Sequence, residues 1–84
     1  MWNKCRKKPV EVEYREVRYI IDLPSNTENG VEYLTGEIVK TREGSLYAYV
    51  GLDFIIRGVR GEVYPIGKGI FHETYDVIVE EEVS

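Results

Sequence analysis

Polar and apolar residues alternate along much of this chain, and the period is two rather than three or four. Val10, Val12 and Tyr14 alternate with Glu11, Glu13 and Arg15. That pattern predicts a half-buried strand, with Pro9 just ahead of it where a missing N–H is tolerated. The alternation slips near Glu16-Val17 and resumes through Tyr19 and Ile21, as at a bulge or bend. Leu23 to Gly30 (Leu-Pro-Ser-Asn-Thr-Glu-Asn-Gly) collects Pro, Ser, Asn and Gly, so a loop is expected there, with Asn29-Gly30 as its turn. Ser25 and Glu28 have the spacing of a capping box, which allows one helical turn within Ser25–Glu28.

Apolar segments follow at Val31–Leu34, Glu37–Thr41 and Ser45–Val50, with a tight hairpin expected at Glu43-Gly44. In Ser45–Val50, Leu46, Ala48 and Val50 share one face, and Tyr47 and Tyr49 the other. Apolar mass on both faces predicts a central strand or one covered on both sides. Phe54-Ile55-Ile56 has the same character. Gly58-Val59-Arg60-Gly61 turns the chain, with both glycines expected at positive φ, and Glu62-Val63-Tyr64 returns it until Pro65. Asp53 is placed to accept turn amides or to pair with Arg57. Gly67-Lys68-Gly69 suggests a loop, Ile70–Thr74 a helical turn, and Tyr75–Val79 a last strand.

The fold expected is mainly β, or α+β if the short helical turn is counted. It would be a small antiparallel sheet or a partly closed barrel of about six short strands. Residues 1–84 make a single domain. A basic N-terminal segment, 1–8, and an acidic C-terminal tail, 80–84, are expected to be mobile. A domain this small buries only roughly 60% of its unfolded surface. A staple is then useful, and with one cysteine there is no intrachain disulfide. No Cys-x-x-Cys or His-x-x-x-His spacing offers a metal site, and no cofactor is implied. Oligomerisation remains, and a homodimer is the expected form.

A lone cysteine fits a reducing compartment. No apolar run follows the basic N-terminus as in a secretion signal, and none approaches the roughly 20 residues of a membrane helix. Cytosol is expected and a membrane is not. A net charge of −4 argues against general nucleic-acid binding.

Chemistry is sparse. Cys5 lies among basic neighbours with no base in evidence, and His72 beside Glu73 reads as a structural histidine. No phosphate loop and no nucleophile or metalloprotease motif occurs, so no catalytic residue is assigned and the protein is expected not to be an enzyme. Binding is the remaining class. Arg57 and Arg60, with Lys68 in the next glycine loop, suit an anionic ligand. Tyr64, Tyr47 and Tyr49 could stack a base beside them. Seven tyrosines against two phenylalanines also suit an interface.

Two blocks go beyond this general picture. Asp53-Phe-Ile-Ile-Arg57-Gly58-Val-Arg-Gly61-Glu-Val-Tyr64-Pro65, followed by Ile70-Phe-His-Glu-Thr74-Tyr75, resembles the C-terminal signature of small phage and prophage proteins of the PGDYG type. Cys5-Arg-Lys-Lys-Pro9-Val10-Glu11 is similar to the opening strand of that family. The match departs where Gly51-Leu52 stands for Pro-Gly and where Ile66 stands for a cysteine. The 19–41 segment is shorter than the family's helix-bearing insert. The resemblance implies a viral source and, with it, a host cytoplasm. It implies no established activity. The expectation drawn is a viral accessory protein that inhibits a host antiviral system by stoichiometric binding. It would bind a host protein or sequester a nucleotide-like anionic ligand. The alternative is a structural or scaffold protein of the virus with no small-molecule ligand.

Overall fold

The computed structural model describes residues 1–6 and 10–79. Of the expected mobile termini, residues 7–8 and the whole of 80–84 lie outside the described residues. The fold is mainly β. Its elements are β1 (Glu13–Glu16), β2 (Ile21–Thr27), β3 (Gly30–Thr41), β4 (Gly44–Tyr49), β5 (Asp53–Arg57), β6 (Val63–Gly67) and α1 (Lys68–Thr74). They form two three-stranded antiparallel sheets, ordered β1-β5-β6 and β2-β3-β4, and no closed barrel.

Three layers result, with β5 at their centre. Its three residues Phe54, Ile55 and Ile56 are all buried. Successive strand residues face opposite ways. Ile55 therefore packs toward the second sheet, against Val17, Val39 and Ala48. Phe54 and Ile56 pack toward α1, against Phe71. Tyr14 and Phe71 complete an aromatic cluster around Phe54, with ring centroids 4.6–5.0 Å apart. The chain crosses from the first sheet to the second between Glu16 and Ile21, where the alternation slips, and buries Val17 on the way.

Several local expectations are corrected. Leu23–Gly30 is not a loop. Residues 21–27 form β2, paired from Ile21↔Gly36 to Thr27↔Gly30, so Ser25–Glu28 holds no helical turn. Pro24 is tolerated because β2 is an edge strand and its missing N–H breaks no second ladder. The turn is Glu28-Asn29, one residue earlier than expected, and Gly30 follows it at φ 117°. The hairpin after β3 is likewise shifted, turning on Arg42-Glu43 with Gly44 at φ 120°. Val31–Leu34 and Glu37–Thr41 are one twelve-residue strand running through Gly36.

β4 is an edge strand, not a central one: it pairs only with β3, and Leu46 and Tyr47 are exposed while only Ala48 is fully buried. Pro65 lies inside β6, opposite Ile55, which the outer edge of the sheet permits. Gly67 closes β6 and Lys68-Gly69 opens α1, so no loop separates them. The opening strand starts at Glu13, and Val10–Val12 lie outside it. Tyr75–Val79 has no strand partner, since β1 and β6 pair only with β5.

Candidate functional site

Cross-strand register decides what faces the space between the sheets. Glu13↔Arg57↔Val63 and Arg15↔Ile55↔Pro65 share the inner face of the first sheet. Glu37 and Val39 share the inner face of the second, opposite Ala48 and Leu46. Where these inner faces diverge they leave a cleft of about 570 Å³, floored by Val39, Ile55 and Val63. That is the size of a small-ligand site. A second depression of about 410 Å³ adjoins it through shared Lys40 and Val63, and lies between the β3–β4 and β5–β6 hairpin tips.

Arg15, Arg18, Lys40, Arg42, Arg57 and Arg60 line these two spaces. Lys68 is the only other lysine or arginine between positions 10 and 79. Three carboxylates, Glu13, Glu37 and Glu62, face the six cations. In a chain of net charge −4, six of the eleven lysines and arginines thus lie along one band. Six cations against three carboxylates leave an excess of positive charge there.

Glu37 organises the band. Its carboxylate is only 10% exposed. It accepts two hydrogen bonds from the Arg15 guanidinium, at 2.6 and 3.0 Å, and one from the Arg18 backbone N–H at 2.7 Å. The Arg15 hydrogen bonds, aided by the Arg18 amide and the two positive charges, hold its pKa down to about 2 against the opposing effect of burial. Arg15 is raised by the same bond. The Arg18 guanidinium sits 3.4 Å from Glu37 and remains 66% exposed, with most of its donors directed to solvent. Arg57 pairs with Glu13 at 2.7 and 3.2 Å, an exposed pair that a stronger anion displaces at little cost. Among the described residues no ion pair engages Lys40, Arg42 or Arg60.

The hairpin tip requires one of its glycines, not both as expected. Only Gly61 takes a positive φ, 80°. Gly58 has a negative φ, and a Cβ there would meet only the far end of the flexible Glu62 side chain, 2.0 Å from its carboxylate oxygen, which can swing aside. That carboxylate accepts the Arg60 amide at 2.9 Å and so fixes the tip. Asp53 accepts the Tyr49 amide at 2.8 Å; its other expected partner, Arg57, turns to Glu13.

Of the six residues singled out by sequence, the structure brings two, Arg57 and Arg60, to the cationic band. The other four lie elsewhere. Lys68 is on the opposite face of the first sheet, bonded to Glu16 and resting 4.8 Å over the Phe54 ring. Tyr64 is on that face too, its hydroxyl 3.3 Å from that of Tyr75, and this bond together with burial pushes its pKa up to about 12. Tyr47 lies on the outer face of the second sheet. Tyr49 reaches across β3 to donate its hydroxyl to the Pro24 carbonyl. Among the described residues no aromatic ring stacks into the cleft: Tyr14 borders it, but its ring packs on Phe54 and Phe71.

Arg15, Arg18, Glu37, Lys40 and Arg42 were missed. A signal existed for Glu37, which falls in phase with Val39 on an apolar face, where a charge needs a partner. Cys5 is exposed and unpaired, and His72 sits edge-on to Phe54 and Phe71. Among the described residues no group of three metal-ligating side chains occurs, and no helix is long and apolar enough to cross a membrane. No family model matches the chain, no curated protein matches its sequence, and no solved structure matches its fold.

Proposed function

We propose that this is a non-catalytic viral accessory protein that acts by stoichiometric binding, and that its inter-sheet cleft captures a small phosphate-bearing ligand. The observation that carries the reading is the segregation of Arg15, Arg18, Lys40, Arg42, Arg57 and Arg60 to one concave band of an acidic chain. Arginine forks and a lysine around an apolar floor suit phosphate oxygens above any neutral ligand. Because no ring stacks into the cleft, recognition falls on the phosphates and not on a base. The resemblance of 53–65 and 70–75 to phage and prophage proteins supports a viral source. A nucleotide-like signal of a host antiviral system, sequestered in the host cytoplasm, is the ligand class that joins the two arguments.

Titration calorimetry tests it, with tripolyphosphate and with nucleoside mono-, di- and triphosphates. Affinity should rise with phosphate number, vary little with the base, and fall at least about tenfold in Lys40→Glu. Absence of binding heat for every phosphate would overturn the reading and return weight to a scaffold role in the virus.

A further inference from the structure

The first half of β3 leaves the body of the protein. β4 pairs with β3 only over residues 36–41, whereas β2 pairs with it over 30–36. The Val50 amide still bonds the Thr35 carbonyl, the Tyr49 hydroxyl bonds the Pro24 carbonyl and Leu23 is 3% exposed, so the two-stranded arm with both outer edges open is residues 25–33. Over the four steps from Leu34 to Gly30 the arm projects about 13 Å. A two-stranded ribbon in water is marginal by itself. This one nonetheless displays apolar side chains, with Val31 57% and Tyr33 70% exposed, on the same face that farther along β3 carries Glu37 and Val39.

The arm is also acidic. It carries Glu28 and Glu32, and no lysine or arginine occurs between Tyr19 and Val39. The cationic band begins at Lys40 on the same strand. Arm and band are thus opposite ends of one continuous strand, so an arm is directed away from its own cleft. Only another molecule can bring acid arm and basic cleft together.

We propose that the β2–β3 arm of a second copy of this chain seats in the basic cleft, and that two copies do this reciprocally about a two-fold axis. Glu28 and Glu32 of each arm meet the Lys40, Arg42 and Arg60 cations of the other copy. A reciprocal contact closes on itself, whereas a one-way contact would grow into a filament. The proposal rests on the reading of the cleft as an anion-accepting surface. It adds that a phosphate ligand and the partner's arm compete for it.

Charge swapping tests this. Sedimentation velocity should show a wild-type dimer that weakens as salt is raised. The arm variant Glu28→Lys/Glu32→Lys and the cleft variant Arg42→Glu/Arg60→Glu should each dimerise at least about tenfold more weakly. Both sets of side chains are exposed, and circular dichroism checks that each variant is folded. Mixed one to one, the variants should form a heterodimer, because the basic arm then faces the acidic cleft and the reverse contact is unchanged. A monomeric wild type, an undiminished dimer in either variant, or a mixture that stays monomeric would overturn the proposal. Tripolyphosphate titrated into the arm variant, whose cleft is intact, separates the two readings. Binding there by a protein that never dimerises leaves the ligand site standing without the self-contact. A dimer whose cleft takes no phosphate leaves the self-contact standing without the ligand.

Discussion

Glu37→Gln removes the one negative charge buried between the sheets while keeping the shape of the side chain. The carboxylate holds the Arg15 guanidinium and the Arg18 amide at once, so β1, β3 and the crossing segment all meet at it. Its pKa falls from about 4.5 to about 2, chiefly through the Arg15 hydrogen bonds. A shift of that size corresponds to about 3 kcal/mol. Arg15 is 44% exposed, however, and solvent screens part of that interaction. A loss of about 2 kcal/mol is expected, between the values for exposed and fully buried pairs. In a domain of this size that lowers Tm by about 8–16 °C. The sign of the pH dependence follows from the depressed pKa. The carboxylate's contribution is whole above its unfolded value, about 4.5, and is lost as pH falls through about 2. Urea unfolding of wild type and variant at pH 6, 4 and 2 reads this directly. The gap should be about 2 kcal/mol at pH 6 and close toward zero at pH 2. A gap below about 0.5 kcal/mol at pH 6, or one that persists unchanged at pH 2, would refute the assignment of Glu37 as the ionised link between the sheets.

Three other expectations follow from the same packing. Ile56 is 0% exposed on the central strand, so Ile56→Ala should cost about 3 kcal/mol in urea unfolding, a large share of what a domain of this size has. Gly36→Ala should prevent folding or lower Tm far more than Gly61→Ala. A Cβ at 36 would lie 1.8 Å from the Ala48 backbone oxygen, while at 61 it meets open space and costs only the positive-φ strain of about 1 kcal/mol. The reverse order in thermal melts would contradict the forked pairing of β3. Tyr64→Phe should remove one late-titrating hydroxyl from the tyrosinate absorbance curve, the one held near 12 by Tyr75. The stability linked to that proton is complete below pH about 10 and lost as pH rises through about 12.

The parts of the fold that sequence displays are those where one physical cause acts alone. Phe54-Ile55-Ile56 must be buried on both faces, and it is. Gly58 to Gly61 must turn, and it does, with the Gly58 amide bonded to the Glu62 carbonyl. Leu23–Gly30 misleads because Pro, Ser and Asn are turn formers that an edge strand also tolerates, and pairing with β3 outweighs their propensity. Ser45–Val50 misleads for a related reason: apolar residues on both faces do not reveal that one face is left open. The site divides the same way. Arg57 and Arg60 stand out because the turn does not need them. Arg18, Lys40 and Arg42 come from segments far apart in the chain, and only the register of two sheets collects them. Tyr64 and Lys68 are near Arg57 in sequence, yet strand alternation and the start of α1 carry them to the other side of the same sheet.

The central claim is that the cationic band between the sheets receives phosphate. An amide chemical-shift map recorded while tripolyphosphate is titrated into the wild-type protein tests it most directly. Shifts that saturate at Arg18, Lys40, Arg42, Arg57 and Arg60, with Tyr47, Tyr64 and Lys68 unmoved, are the predicted result. Saturating shifts centred on Tyr64 and Lys68, or no saturable shift anywhere, would contradict it.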